Sequence, residues 1–157
     1  MGEVHRLLTA EPAFGLQAAG RLMVQVFPAW VQDLALLVET VEAARPTGAP
    51  ADWQPGAVVR LPFNKKICND GKTVCSQALM ALADTAMVIA CSAAWNGYRP
   101  MNTIDQTMHF LRPVSYDVVA DARVVRIGRG TSFGRVMLLG AHDHRPVGMV
   151  ATAYSMN

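Results

Sequence analysis

Ser76-Gln77-Ala78-Leu79-Met80-Ala81-Leu82-Ala83-Asp84-Thr85-Ala86-Met87-Val88-Ile89-Ala90-Cys91-Ser92 is rich in strong helix formers and apolar almost all round. A helix of that kind is expected to be buried on every side. Asp84, near its middle, is the exception. A carboxylate in apolar surroundings is costly unless something pairs with it or uses it. Asp84 is too far from the helix start to act as an N-cap. Two readings stay open at this point. It is a core Asp satisfied by a hydroxyl, a backbone group or a distant Arg, or it is a working group, since buried ionisable residues cluster at functional sites.

Upstream of the helix, Val58-Val59-Arg60-Leu61-Pro62-Phe63 reads as a strand. Asn64 to Lys72 is polar, and Asn69-Asp70-Gly71 carries turn chemistry. Downstream, Asn96-Gly97-Tyr98-Arg99-Pro100 breaks the helix. Four runs with β-branched residues and partial alternation follow, roughly Met101 to Leu111, Asp117 to Ile127, Ser132 to Ala141 and Pro146 to Ser155. Closer to the start, residues 4 to 9 and 13 to 26 are expected as short helices, or a helix and a strand. Pro28 to Ala44 has helical spacing of Trp30, Val31, Leu34, Leu37, Val38 and Val41, with Asp33, Glu39 and Glu42 off the stripe. Arg45 to Pro50 is a surface loop too short to separate domains. The order strand, long apolar helix, four antiparallel strands predicts an α+β layer in which a sheet wraps one helix.

The 157 residues predict a single domain, with 1–54 as an N-terminal helical extension and 55–157 as the core. Hydrophobic residues make up 52% and charged residues 17%. Because Asp84 and small residues interrupt the longest apolar run, that excess predicts a subunit interface rather than a membrane span. The opening Met-Gly-Glu-Val-His-Arg does not read as a secretory signal. Three cysteines, Cys68, Cys75 and Cys91, lack metal-type spacing and read as reduced thiols of a cytoplasmic protein. A net charge of +2 argues against nucleic acid and suits an anionic small molecule.

The words Leu82-Ala83-Asp84-Thr85-Ala86, Thr103-Ile104-Asp105, His109-Phe110-Leu111-Arg112-Pro113, Val124-Val125-Arg126-Ile127-Gly128-Arg129 and Val150-Ala151-Thr152-Ala153-Tyr154 occur in an order and spacing that resembles the hotdog fold. More narrowly, the chain resembles the phenylacetate-pathway, PaaI-like branch of acyl-CoA thioesterases over about residues 55 to 156. That resemblance implies a hydrolase acting on a medium-chain or aromatic acyl-CoA thioester. It implies no cofactor and no metal. Asp84 matches the catalytic carboxylate, Asn69 the Asn at the thioester end and Thr103 the Ser or Thr that helps hold water. Where the family opens its helix with His-Gly-Gly, this chain has Cys75-Ser76-Gln77. The backbone amides of an oxyanion site survive that change, while two side chains enter where glycine left room. The resemblance further implies a homodimer or dimer of dimers, with each site shared between subunits.

Other residues carry two readings each. Cys75, at a helix start, is a nucleophile or a small buried hydrophobe. Ser76 reads as an N-cap rather than a nucleophile. Arg126, Arg129 and Arg135 surround a Gly-rich turn and suit the phosphates of CoA, or form a solvated basic loop. His142 and His144 have no carboxylate or thiol partners at metal-site spacing. Two alternatives to hydrolysis remain: a hotdog protein that binds acyl-CoA or another apolar ligand without turnover, and a hotdog hydratase or dehydratase.

Overall fold

Alternation builds the sheet. Along the last strand, Gly148, Val150, Thr152 and Tyr154 are buried while Met149 and Ala151 are exposed, so one face of the ribbon is covered. The computed structural model describes residues 13–70 and 72–156; the element expected at residues 4 to 9 lies outside them. In chain order the elements are α1 (Leu16–Val26), α2 (Ala29–Gln32), β1 (Leu37–Glu42), β2 (Gly56–Leu61), a 3-10 turn (Lys65–Ile67), β3 (Cys68–Asn69), β4 (Thr73–Val74), α3 (Ser76–Ala94), β5 (Met101–Phe110), β6 (Val118–Ile127), β7 (Thr131–Gly140) and β8 (Pro146–Met156). Six strands form one antiparallel sheet in the order β1-β2-β6-β7-β8-β5. α3 packs against β2, β6 and β7. This is the hotdog arrangement that the resemblance implies.

The four runs after the helix are all strands, but β5 does not pair with its chain neighbour β6. It crosses to the far edge beside β8. Among the described residues, the crossing leaves the other edge of this ten-residue strand unpaired.

Gly134 sets how closely helix and sheet approach. A Cβ there would lie 2.3 Å from the Sδ of Met87, which is fully buried on α3. By length and composition α3 would suffice to cross a membrane, but 72% of its apolar window is buried inside the protein. Its apolar surface is spent on the sheet.

The stretch Pro28 to Ala44 is not one helix. Only Ala29–Gln32 is helical; Ala35 takes a φ of 54°, and Leu37–Glu42 is a strand. Val38, Thr40 and Val41 are β-branched and lose little in an extended chain. Pairing with β2 then overrides the helical spacing, and Glu39 and Glu42 reach Arg60 and Arg123 across the sheet. The core sheet therefore starts inside the first 54 residues, and α1 packs onto β1. Residues 1–54 are not a purely helical extension.

All three cysteines are free. Cys91, on α3, is fully buried, and burial pushes its thiol from the ordinary 9.0 up to about 12. The unfolded chain ionises this thiol first, so its contribution to stability is intact below pH 9 and is lost as the pH rises toward 12. Stability is expected to fall there by about 1.4 kcal/mol per pH unit from this group. Denaturant titrations at stepped pH on wild type and Cys91→Ala check this; equal slopes in both would refute it.

Candidate active site

Apart from its two end residues, Ser76 and Ala94, four residues of α3 break its cover of neighbours: Gln77 and Met80 are exposed, Ala81 and Asp84 half-buried. They stand at i, i+3, i+4 and i+7, one stripe of a helix. The expectation of burial on every side is corrected accordingly. The N-terminal half of α3 is open along this stripe because β5, the strand beside it, ends the sheet. Together with Trp30, Thr103 and Gln106, the stripe lines an open hollow of about 390 Å³.

Asp84 is held from the strands. Thr103 Oγ1 donates to its Oδ1 at 3.0 Å, and the Tyr154 hydroxyl donates to the same oxygen at 2.8 Å. Among the described residues no donor reaches Oδ2, which is the oxygen left for chemistry. Tyr154 is 1% exposed. Burial first, and then the neighbouring Asp84 carboxylate, raise its phenol well above the ordinary range, so it stays a neutral donor. Asp84 is thus both satisfied by hydroxyls and presented to a hollow. The two sequence readings merge.

A bulge makes this possible. Thr103 pairs with Tyr154, but Asp105 pairs with Ala153, so Ile104 is an extra residue in β5. Thr103 and Gln106, opposite Tyr154 and Thr152, therefore both face the helix. Strict alternation would have turned Asp105 inward instead. Gln106 Nε2 donates to the Met80 carbonyl at 3.1 Å and braces the stripe.

The other expected residues lie elsewhere. Asn69 sits on the β3–β4 hairpin and lines a second hollow of about 380 Å³ with Thr73, Ser76, Leu79 and Phe110 among others. Ser76 is not the N-cap. Cys75 has the extended backbone of a cap, its carbonyl accepts from Leu79 N–H at 3.3 Å, and Ser76 is the first helical residue. The Cys75 thiol makes no capping bond. The amides of Ser76, Gln77 and Ala78 lack intrahelical acceptors and point out of the helix start, where a developing oxyanion would be stabilised. Ser76 lines the Asn69 hollow and Gln77 the Asp84 hollow. The helix start and Asp84 are eight residues apart, about 12 Å along the axis. One chain does not bring the two halves together.

His109 lies on the opposite face of the sheet, in a hollow with Thr107, Arg135 and Met149, and cannot serve as a base for Cys75. Arg126 and Arg129 are exposed at the β6–β7 turn and line neither hollow. Arg135 Nε donates to Gln54 Oε1 at 3.3 Å. His142 stacks edge-on against Tyr116 with centroids 6.3 Å apart. No cluster of three metal-ligating side chains occurs among the described residues.

Sequence reasoning missed Tyr154, Gln106 and Trp30 as site residues. A signal existed for the first: a Tyr on the buried face of a strand needs a partner for its hydroxyl. None existed for Gln106, whose direction depends on the bulge.

Residues 78–146, from α3 to the first residue of β8, match the family described as Thioesterase superfamily. The fold is shared with a thioesterase of Haemophilus influenzae at TM-score 0.73, with 17% identity over 93% of this chain and 92% of that one. The PaaI protein from the phenylacetic acid degradation operon of E. coli gives TM-score 0.71 and 19% identity over 90% and 93%. A conserved protein of Pseudomonas aeruginosa gives 0.67 and 24% over 85% and 98%. Comparison of the sequence with curated proteins finds no match.

Proposed function

We propose that this hotdog-fold chain, with its thioesterase-superfamily region over residues 78–146, is a PaaI-like acyl-CoA thioesterase that uses Asp84 on a medium-chain or aromatic acyl-CoA thioester. The observation that carries the reading is a carboxylate clamped at one oxygen by Thr103 and Tyr154, with the other oxygen facing an apolar-walled hollow. Hydrolysis of a thioester needs a polarised carbonyl and an oxygen nucleophile. Free amides at the start of α3 supply the first by hydrogen bonding to the oxyanion. Asp84 Oδ2 supplies the second, by taking a proton from water or by attacking the carbonyl carbon itself. In the first route the hydroxide formed displaces the CoA thiolate; in the second the thiolate leaves a mixed anhydride on Asp84, which water then hydrolyses; in both the thiolate is protonated and the acyl group departs as a carboxylate.

The two halves belong to one site only when two chains meet. The unpaired edge of β5, with Ile104 and Phe110 exposed, is the natural place for a second copy to add its own strand. Asn69 and the helix start of one subunit then face Asp84 of the other. The test is complementation. Asp84→Asn and Asn69→Ala are each inactive alone; mixed by refolding, their heterodimers contain one intact site out of two. Recovery to about one quarter of wild-type thiol release is expected from random pairing. No recovery from two folded, dimeric variants would show that each chain works alone.

Ligand binding without turnover is the second reading. It is favoured by Gln77, which lines the Asp84 hollow at a position where the resemblance implies glycine. Free-thiol release over a panel of acyl-CoA thioesters, from acetyl through long-chain to phenylacetyl, separates the two, since a binder releases no thiol. A hydratase reading finds less in the geometry: among the described residues, His109, His142 and His144 line neither hollow.

A further inference from the structure

Trp30 belongs to the segment before the family-matched region, yet it lines the Asp84 hollow. The indole is 59% exposed, a large apolar surface left in water. Its backbone is nevertheless fixed. Val31, the next residue, is buried in the core, and Gln32 Nε2 donates to the carbonyls of Val24 at 3.2 Å and Phe27 at 2.9 Å. These contacts tie the short α2 back to the end of α1 and place Trp30 beside the hollow rather than in the core. Across from it stands Met80, 39% exposed, whose carbonyl is pinned by Gln106. The hollow is therefore amphipathic. Asp84, Thr103, Gln77 and Gln106 supply its polar lining; Trp30, Met80 and Ala81 its apolar lining.

That division matches one kind of ligand: an apolar group joined to a reactive carbonyl. A planar indole carried on an anchored backbone offers a broad apolar wall, whereas the unbranched Met80 adapts. We infer that Trp30 is the specificity-determining residue for the acyl group, setting how long or bulky a chain fits while its thioester lies at Asp84. The inference rests on the thioesterase reading, and it assigns the N-terminal segment a role in substrate choice.

Two measurements test it, one with turnover and one without. In the first, kcat/KM is measured over saturated acyl-CoA thioesters of increasing length for wild type, Trp30→Ala and Trp30→Phe. Trp30→Ala is expected to move the optimum to longer chains, with a change of about tenfold in the ratio of long to short substrates. Trp30→Phe keeps the wild-type order. An unchanged order in Trp30→Ala overturns the inference, as does a Trp30→Ala protein that becomes monomeric in light scattering, because Trp30 would then be an intersubunit contact. In the second, S-hexyl, S-decyl and S-hexadecyl CoA thioethers, which cannot be hydrolysed, are titrated calorimetrically into Asp84→Asn with and without Trp30→Ala. Affinities that shift with chain length only when Trp30 is removed support the wall even where wild type releases no thiol, in which case the hydrolase reading alone falls. Identical affinity profiles overturn the wall whatever the turnover.

Discussion

Asp84→Asn is expected to lower kcat for acyl-CoA hydrolysis by roughly 10²- to 10⁴-fold while leaving the protein folded and associated as in wild type. Asn has nearly the same shape as Asp, and its carbonyl oxygen accepts from Thr103 and Tyr154 where Asp84 Oδ1 does now. What it loses is the second carboxylate oxygen, the one free of protein donors. An amide nitrogen there neither takes a proton from water nor attacks a carbonyl. KM is expected to change little, because the apolar wall and the helix-start amides are untouched. Free-thiol release across an acyl-CoA panel, with circular dichroism and light scattering on the same samples, checks this. Undiminished turnover in Asp84→Asn would remove Asp84 from the chemistry.

Tyr154→Phe is expected to cost about ten- to a hundredfold in kcat with KM nearly unchanged. The hydroxyl touches no substrate; it fixes the carboxylate that does, and losses of orientation of this kind cost rate rather than binding. Removing it leaves Oδ1 with Thr103 alone, so Thr103→Ala should act in the same direction and the double variant should show non-additive loss. Loss of a hydrogen bond to a charged group should also lower stability by about 1.5–3 kcal/mol. A separate signature distinguishes Tyr154 from mere packing. Its phenol is held above the ordinary value of 10.0 by burial and by Asp84, so the unfolded chain ionises first as the pH rises. The stability it contributes is complete below pH 10 and is lost above it. The loss of stability per pH unit above pH 10 should therefore be shallower in Tyr154→Phe than in wild type. A Phe variant with wild-type kcat and an unchanged alkaline limb would leave Tyr154 as core filler.

Much of the candidate site was legible before any coordinates. A carboxylate in an apolar helix advertises itself because burial makes it expensive, and Thr103 followed from the motif around it. Tyr154 was half legible, as a hydroxyl on a buried strand face without an assigned partner. Gln106 and Trp30 were not. Gln106 owes its direction to the extra residue Ile104, and a bulge leaves no mark in composition. Trp30 looked like one of several apolar residues along one long helix, of which only Ala29–Gln32 forms, since Leu37–Glu42 pairs with β2 instead. Ser76 looked like a cap because caps are read from side chains, while the backbone turned one residue earlier, at Cys75.

The sequence by itself determined the elements whose reasons are local: α3 from its run of helix formers, β2 and β5 to β8 from alternation and turn residues, and Asp84 as the odd charge among apolar neighbours. Only the tertiary structure decided which strands meet and which way their side chains point. Strand order, the edge position of β5, the bulge at Ile104 and the separation of Asn69 from Asp84 all depend on pairings between distant residues. Those pairings are chosen by the packing of the whole sheet round α3, and no short window of sequence contains that choice.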